Sequence, residues 1–200
     1  MSRNLFKKSV TLILLVALSS LMSCSTERVP SGTLLWKHQI GAELWSPTKY
    51  DHGLLYFGSD DSNFYALDVD DQRVEWQFET GGIIRSGADI SSGVVTFASD
   101  DGFLYALDAK SGKELWQFDL GSSDFLRRGP APDAPYRYDY MHSSPAVHRS
   151  ILYIGSADGS MYAINHKSGD EIWRFATDSI VRSTPLVHDG TIYFGSWDGK

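Results

Sequence analysis

Pairs of acidic residues in short turn-like segments are the first side chains in this sequence that could bind a metal ion. Asp60-Asp61-Ser62-Asn63 and Asp100-Asp101-Gly102 offer the hard oxygen ligands that Ca²⁺ prefers. Neither segment has the full EF-hand spacing with its closing Glu, and Asp in tight turns is explained by turn geometry alone. We therefore expect these carboxylates to stabilise turns, and we predict no metal site.

Nucleophilic and cofactor-binding motifs are also missing from the sequence. The six His residues show no zinc spacing, and the chain has a single Cys. There is no G-x-S-x-G segment, phosphate-binding loop or dinucleotide fingerprint. The sequence thus names no catalytic residue, and it favours a protein that is not an enzyme.

The N-terminal segment has the pattern of an export signal. Arg3, Lys7 and Lys8 precede an apolar run from Val10 to Leu18. A membrane-spanning helix needs about 20 apolar residues, and this run is about half that length. A short apolar run with basic residues before it and small residues after it is typical of a secretory signal peptide.

Leu21-Met22-Ser23-Cys24 resembles the lipobox of bacterial lipoproteins, with Met22 as an unusual occupant. The resemblance implies that residues 1–23 are a signal peptide, that Cys24 is the lipidated N-terminus and that residues 24–32 are a tether. A single Cys also permits no intramolecular disulfide. Ser25, where Asp would indicate retention in the inner membrane, favours an outer-membrane lipoprotein that faces the periplasm.

The charge of the mature chain argues against a nucleic-acid partner. Loss of Arg3, Lys7 and Lys8 reduces 18 basic residues to 15 against 25 acidic residues, so the mature net charge is about −10. Phosphate backbones are bound by clusters of Lys and Arg, which such a surface lacks.

An internal repeat is the strongest signal in the chain. Trp36, Trp76, Trp116 and Trp173 are separated by 40, 40 and 57 residues. Four segments similar to Leu55-Tyr56-Phe57-Gly58-Ser59 align without gaps, at 55–61, 95–101, 152–158 and 192–198. Self-similarity at this period is the signature of a repeat architecture, in which a blade of four strands takes about 40–45 residues.

The repeat predicts an all-β fold, a β-propeller of four-stranded antiparallel blades over residues 33–200. Short runs rich in Tyr, Phe, Ile and Val alternate with Asp-Gly turns, and no helical periodicity is present. About three and a half blades fit in the chain. In the second repeat we expect strands near 86–91, 93–98, 103–108 and 113–119.

The third interval between tryptophans is longer by 17 residues, which places an insertion at about 121–140. The insertion lies between two blades, so it should emerge on one face of the disc. It is rich in Pro, Tyr and Arg, and the residues we select as candidates for partner binding are Phe125, Leu126, Arg127, Arg128, Tyr136 and Tyr138.

The segment from Ala106 to Trp116 matches the A-x-D-x-x-x-G-x-x-x-W docking motif of pyrroloquinoline-quinone-like (PQQ-like) propeller repeats. Asp108 and Gly112 occupy the Asp and Gly positions of the motif. The third repeat follows it with Asn in place of Asp, and the first has Gln72 in place of Gly. The resemblance covers residues 33–200 and implies that each Trp packs between neighbouring blades, as a large aromatic side chain can. The residues to which it assigns this structural role are Ala106, Asp108, Gly112, Trp116, Ala163, Asn165, Gly169, Trp173, Trp76 and Trp36.

The repeat phase also suggests how the disc closes. Residues 33–37 resemble an outer strand that would complete the last blade, while residues 198–200 fall in the turn after the second strand of the fourth repeat. Propellers avoid open sheet edges. We therefore expect this chain to be either the N-terminal piece of a longer protein or a truncated reading frame, with an open edge in this chain. The whole would have seven or eight blades if it follows the family.

Two classes of function remain open at this point. A PQQ-dependent quinoprotein dehydrogenase would bring PQQ and Ca²⁺, a vicinal Cys pair and a catalytic Asp, and this chain has no Cys pair. An exported sensor or ligand-binding propeller is a further alternative. The other class is an interaction scaffold without a cofactor, since propeller loops form a broad docking surface.

The combination of lipobox and repeat resembles the BamB family of outer-membrane assembly lipoproteins. Leu126-Arg127-Arg128-Gly129 followed by Ala131-Pro132 is similar to the Leu-Arg-Gly…Ala-Pro loop through which that family contacts the barrel insertase, with one extra Arg and an intervening Pro. The resemblance implies a membrane-anchored, non-catalytic scaffold that binds proteins in the cell envelope. We expect this scaffold to have no cofactor and no nucleic-acid partner.

Overall fold

Antiparallel sheets follow one another along the chain in a computed structural model that describes residues 12–13, 32–120 and 143–200. Of the predicted signal peptide and tether, the structure describes only Leu12–Ile13 and Gly32. The predicted insertion at 121–140 lies outside the described residues. No helix occurs in the described part of the chain, and consequently none there has the length and apolar character that crossing a membrane requires.

Three complete blades have the same strand order, in which each strand pairs with the next one along the chain. Blade I consists of β3 (Lys49–Asp51), β4 (Leu54–Gly58), β5 (Asn63–Asp68) and β6 (Arg73–Glu79). Blade II consists of β7 (Asp89–Ser91), β8 (Val94–Ala98), β9 (Phe103–Asp108) and β10 (Glu114–Asp119). Blade III consists of β11 (Ala146–His148), β12 (Ile151–Gly155), β13 (Ser160–Asn165) and β14 (Glu171–Ala176).

A fourth, two-stranded sheet follows, formed by β15 (Leu186–His188) and β16 (Thr191–Tyr193), which we call half-blade IV. The prediction of an all-β fold with four-stranded antiparallel blades is confirmed. At the other end, β1 (Leu12–Ile13) pairs with β2 (Lys37–His38) over two residues. Residues 33–36, which we expected in an outer strand, are not in a strand, and the side chain of Trp36 packs against blade I instead.

The burial pattern explains why these segments form these strands. The two middle strands of each blade, such as β8 and β9, are buried almost throughout because both of their faces contact neighbouring blades. The outer strand β6 alternates between exposed and half-buried residues, with Val74, Trp76 and Phe78 directed inward. A period of two residues on a half-buried strand and a continuous apolar run on a buried strand are the expected patterns.

The core lies between the blades. Phe64 of blade I stacks on Phe97 of blade II with ring centroids 3.9 Å apart and an interplanar angle of 2°. Burial of one such side chain contributes about 1.5–3 kcal/mol. Two-residue turns with positive φ at both positions, such as Ser92-Gly93, join the first and second strands of a blade.

Candidate interaction surface

Two hairpin carboxylates, those of Asp101 and Asp158, are bound by their own turns. Asp101 accepts hydrogen bonds from the Phe103 backbone N–H at 3.0 Å and from the Tyr105 hydroxyl at 2.7 Å. Asp158 does the same with the Ser160 backbone N–H at 2.7 Å and the Tyr162 hydroxyl at 2.5 Å. Burial, followed by the hydrogen bond to Asp158, raises the pKa of Tyr162 to about 12, so its hydroxyl remains a donor.

These contacts bear on whether the chain could hold the Ca²⁺ and PQQ of a quinoprotein. A Ca²⁺ site needs several oxygen ligands that converge on one point. Among the described residues no group of three or more His, Cys, Asp or Glu side chains is placed to share a metal ion. The carboxylates of Asp101 and Asp158 already accept N–H and O–H donors of their own turns. The described residues therefore do not form a Ca²⁺ site of this kind.

The docking-motif residues form a turn and a cross-strand pair within each blade. Ala106, which is fully buried, lies opposite Trp116 in the register of β9 and β10. Asp108 accepts hydrogen bonds from the Ser111 hydroxyl at 2.6 Å and the Ser111 backbone N–H at 2.8 Å, and these bonds lower the pKa of Asp108. Asn165 keeps this acceptor role in blade III, with Ser168 as a backbone donor at 3.2 Å. Ala163 similarly lies opposite Trp173.

The Gly and the Trp of one motif contact different blades. The Trp76 indole N–H donates to the carbonyl of Ala109 in blade II at 3.1 Å, and a Cβ placed on Gly112 would lie 2.6 Å from Trp76 Cδ2. Trp116 repeats the arrangement: its indole N–H donates to the carbonyl of His166 at 3.1 Å, and a Cβ placed on Gly169 would lie 2.8 Å from Trp116 Cδ2. Each Trp is therefore received by the turn of the following blade.

One end of the sheets carries the connections between blades. In an antiparallel blade the turn between the second and third strands lies at the same end as the connection to the next blade. We call this end the loop face, and it comprises the connections 39–48, 80–88 and 177–185, the described ends of a fourth connection at 120 and 143–145, and the turns 59–62, 99–102, 156–159 and 196–199. Backbone hydrogen bonds join the two sets, such as Asp100 N–H to the Ile83 carbonyl at 2.9 Å and Trp197 N–H to the Ile180 carbonyl at 3.0 Å.

The predicted insertion belongs to the longest of these connections. The connections 80–88 and 177–185 have nine residues each, whereas 120–145 has 26. Its first residue, Leu120, is buried, and its carbonyl accepts the Ser156 hydroxyl at 2.6 Å. Ser143, near its end, is also buried and donates its hydroxyl to the Ser183 carbonyl at 2.8 Å. The described ends of this connection are therefore held at fixed points of the loop face.

Trp45 and Arg85 lie on the loop face where blades I and II meet. The Arg85 guanidinium binds the Asp60 carboxylate in a bidentate manner, at 2.8 Å and 2.5 Å, and both side chains are largely buried. The hydrogen bond to Asp60 is the main cause that raises the pKa of Arg85, against the lowering effect of burial. Trp45 is 57% exposed, its ring centroid lies 5.8 Å from Arg85 Cζ, and its indole N–H donates to Glu43 at 3.1 Å.

A second pair of the same residue types lies on half-blade IV. The Arg182 guanidinium lies over the ring of Trp197, with Cζ 4.3 Å from the centroid, and Trp197 is 63% exposed. Cation–π contacts of this kind contribute about 0.5–1 kcal/mol at exposed sites and favour this placement of the ring. The loop face thus presents two oriented indoles.

We did not predict a role for four serines in the connections between blades, namely Ser46, Ser86, Ser143 and Ser183. Ser46 donates its hydroxyl to the Ser86 carbonyl at 2.7 Å, and Ser143 donates to the Ser183 carbonyl at 2.8 Å, so both bridge neighbouring blades. Ser86 in turn donates to the Ala98 carbonyl at 2.9 Å. The serines recur with the tryptophan spacing, since 46, 86, 143 and 183 are separated by 40, 57 and 40 residues. That recurrence was the signal that could have found them.

Several predicted site residues lie outside the described residues. They are Cys24 and the six partner-binding candidates of the insertion, namely Phe125, Leu126, Arg127, Arg128, Tyr136 and Tyr138. Their roles stay predictions. The structure does describe both ends of the connection that carries the six candidates, and it places those ends on the loop face.

Comparison with known proteins assigns the repeat. A family model described as outer membrane protein assembly factor BamB matches residues 25–137 and 100–200. The comparison with curated proteins gave no match. The crystal structure of BamB from Moraxella catarrhalis is similar to this chain with a TM-score of 0.67 and 22% identity, over 84% of this chain and 48% of that one. This chain therefore spans about half the length of that BamB.

Other solved structures share the fold. The computationally designed protein Ika4 has a TM-score of 0.63 and 13% identity, over 80% of this chain and 89% of that one. The quinohemoprotein alcohol dehydrogenase ADHIIG from Pseudomonas putida HK5 has a TM-score of 0.54 and 24% identity, over 70% of this chain and 21% of that one. At these identities the likeness concerns the fold alone.

The blades, the shared docking motif and these likenesses define a β-propeller protein of PQQ-like repeats. Because the family model covers more than half of the sequence, the chain belongs to the BamB family of outer membrane protein assembly factors.

Proposed function

We propose that this chain acts as a non-catalytic scaffold in the cell envelope and binds protein partners through its loop face, in the assembly of outer membrane proteins. One observation carries the proposal. The connection that is 17 residues longer than its equivalents is held at both ends on the same face as two exposed, oriented indoles. Family membership supports the assembly role.

The chemistry of the loop face suits a protein partner. Trp, Tyr and Arg are the residue types enriched at binding hot spots, and they are most effective where they are fixed before binding. Trp45 and Trp197 each lie against an Arg side chain. In the insertion, Phe125, Leu126 and Arg127 would add apolar and charged anchors.

Membrane attachment would come from Cys24. The lipobox-like segment makes Cys24 the acylated N-terminus of the mature protein, and Ser25 directs the lipoprotein to the outer membrane, on its periplasmic side. A single acyl chain anchors a protein only marginally, whereas several chains hold it stably. The loop face would then be presented to partners close to the membrane.

The test is site-specific photo-crosslinking in intact cells. A photoreactive amino acid is introduced at Trp45 or at Leu126, and a third variant carries it at Lys110. Lys110 is exposed and lies in the turn between the third and fourth strands of blade II, at the opposite end of the sheet. We expect discrete crosslinked proteins from positions 45 and 126. Crosslinks only from position 110, or from none of the three, would refute the proposal.

A quinoprotein dehydrogenase is the competing function, and likeness to ADHIIG in fold is its support. Titration of the signal-free protein with PQQ and Ca²⁺ in a calorimeter decides between the two functions. The scaffold predicts no heat of binding. Binding at micromolar concentration or tighter would instead require assays of alcohol and sugar oxidation.

A further inference from the structure

Two junctions between complete blades, I with II and II with III, are built on the same plan. In each of them the outer-strand Trp donates its indole N–H to the carbonyl that follows the third strand of the next blade. Trp76 donates to Ala109 at 3.1 Å in the first junction. Trp116 donates to His166 at 3.1 Å in the second. The two junctions can therefore be compared position by position.

A tyrosine closes the first junction. Tyr56 on β4 is 2% exposed, and its hydroxyl donates to the same Ala109 carbonyl at 2.9 Å. Burial is the main cause that raises the pKa of Tyr56 to about 12, so the hydroxyl stays protonated at neutral and mildly acidic pH. The side chain of Ala109 has no proton to exchange. These two residues therefore keep the same charge in both pH ranges.

The second junction has a smaller residue on one side and a larger one on the other. Thr96 on β8 takes the position of Tyr56, and His166 after β13 takes that of Ala109. Thr96 is fully buried, and its hydroxyl donates within its own blade, to the Asp89 carbonyl at 3.4 Å. By this correspondence the imidazole of His166 fills the space that the phenol ring fills in the first junction.

The imidazole of His166 is enclosed without a full set of hydrogen bonds. The residue is 2% exposed, and its Nε2 has no hydrogen-bond partner among the residues that the structure describes. Burial lowers the pKa of His166, because the imidazolium would lose its hydration, and the charge of Asp89 opposes this effect. Asp89 lies opposite Thr96 on the neighbouring strand, and its carboxylate accepts the Val147 backbone N–H of blade III at 3.4 Å.

Little else around His166 would stabilise a positive charge there. The carboxylate of Asp89 on β7 is the group whose charge favours the imidazolium, and Lys49 on β3 attracts the same carboxylate. The other charged or titratable groups on the surrounding strands and turns are Asp108 on β9, Glu114 on β10, His148 on β11, Arg149 in the turn after β11, and Lys167. None of these five side chains is buried, so solvent and salt screen their charges.

We propose that the junction between blades II and III is a pH-sensitive contact, which protonation of His166 loosens in mild acid while the junction between blades I and II stays closed. An opened junction exposes the imidazole, which then takes up a proton at about pH 6.5, whereas the closed junction resists protonation. Acid therefore shifts the equilibrium toward the open form, by up to about eightfold between about pH 7 and pH 5.5.

The loosening would act on the pair of blades that the long connection joins. Leu120, at which this connection begins, is buried in the cluster between blades II and III, together with Leu152 and Ile154 of blade III. Opening of the junction would separate Leu120 from these side chains. The proposal concerns the junction itself and does not depend on what binds to the loop face.

The indole N–H groups of Trp76 and Trp116 report on the two junctions within one molecule. Their hydrogen exchange is measured by NMR on the full chain lacking its signal peptide, at about pH 7 and about pH 5.5. Because the intrinsic pH dependence of exchange is common to both indoles, it cancels in the ratio of their rates. We expect the ratio of the Trp116 rate to the Trp76 rate to rise about three- to eightfold in acid. An unchanged ratio overturns the proposal, whether both rates stay constant or both rise together.

Two variants assign the effect to His166. Thr96→Tyr combined with His166→Ala gives the second junction the residues of the first, and this double variant should show the same ratio at both pH values. His52→Ala is the matched histidine control, since that side chain is 91% exposed, and it should keep the rise of the wild type. A rise that persists in the double variant overturns the proposal. If the double variant does not fold, His166→Gln replaces it, with the same expected ratio and the same contrary outcome.

Discussion

Gly112 of blade II lies directly against the indole of Trp76 in blade I, and the space between them cannot hold a methyl group. A Cβ on Gly112 would be 2.6 Å from Trp76 Cδ2 and 2.7 Å from Cε3. The backbone of Gly112 also has φ +68°. Two independent constraints, a steric one and a conformational one, therefore explain Gly at this motif position.

Gly112→Ala should destabilise the protein by about 2–4 kcal/mol, since both overpacking and a left-handed backbone cost free energy. Gly93→Ala is the matched control, because Gly93 has φ +78° and open space around it. The control should cost only about 1–2 kcal/mol. Urea unfolding of both variants measures the difference, and equal losses would mean that the contact with Trp76 contributes nothing.

Trp116→Phe should cost about 1–3 kcal/mol, because the buried carbonyl of His166 loses its donor. Trp173→Phe should cost less than about 1 kcal/mol, since Trp173 is 37% exposed and has no equivalent acceptor among the described residues. The free energies of unfolding in urea check the pair. A loss at Trp173 as large as that at Trp116 would contradict this explanation.

Asp60→Asn should reduce the free energy of unfolding by about 1.5–3 kcal/mol, because the Arg85 guanidinium keeps its charge in a largely buried position and loses an ionised acceptor. The control is Glu171→Gln, whose partner Arg174 is 60% exposed. Exposed pairs contribute about 0–1 kcal/mol. Thermal melts at low and high salt should show a salt-dependent change for Glu171→Gln and little dependence for Asp60→Asn.

His166 should make the fold sensitive to mild acid. Its side chain is 2% exposed, its Nε2 has no hydrogen-bond partner among the described residues, and burial lowers its pKa although the charge of Asp89 opposes this. The unfolded chain takes up a proton near its ordinary pKa of about 6.5, and the folded chain only at lower pH. The stability that His166 contributes is thus complete above the unfolded pKa of about 6.5, and it is lost as pH falls through the lower pKa of the folded state.

The variant that tests this is His166→Val, since Val69 occupies the corresponding position of blade I. The melting temperature of the wild type should fall more steeply than that of the variant between about pH 7 and pH 5. Parallel curves would show that His166 does not take part.

Cys24→Ala should abolish lipid attachment. In cells fed radioactive palmitate, the wild type should be labelled and should sediment with the membranes after salt washing. The variant should be unlabelled and recovered in the soluble fraction. Labelling of the variant would show that another residue carries the lipid, and labelling of neither would remove the basis for the anchor.

The strands of blade II were predictable because each lies in a short apolar run between turn residues. The expected segments 93–98, 103–108 and 113–119 became Val94–Ala98, Phe103–Asp108 and Glu114–Asp119. The innermost strand was expected at 86–91 and begins only at Asp89. The Ser86 hydroxyl donates instead to the Ala98 carbonyl, and the Gly87 backbone N–H donates to the Ser144 hydroxyl. Both hydrogen bonds lie outside the strand pairing.

The candidate interaction surface was harder to predict. The position of the insertion followed from the tryptophan spacing, but the pairing of Arg85 with Asp60 and the position of Trp45 over Arg85 join residues of different repeats. Such contacts depend on how neighbouring blades are oriented, and a single sequence contains no direct measure of that orientation.

The two anchors of the long connection have a consequence for how this protein can change. Leu120 and Ser143 are buried at fixed positions, so the residues between them can vary in number without moving a blade. Each doubling of a flexible loop costs only about 0.6 kcal/mol in closure entropy. Foreign recognition sequences of different length could therefore be grafted between these two anchors at small thermodynamic cost, on an unchanged frame.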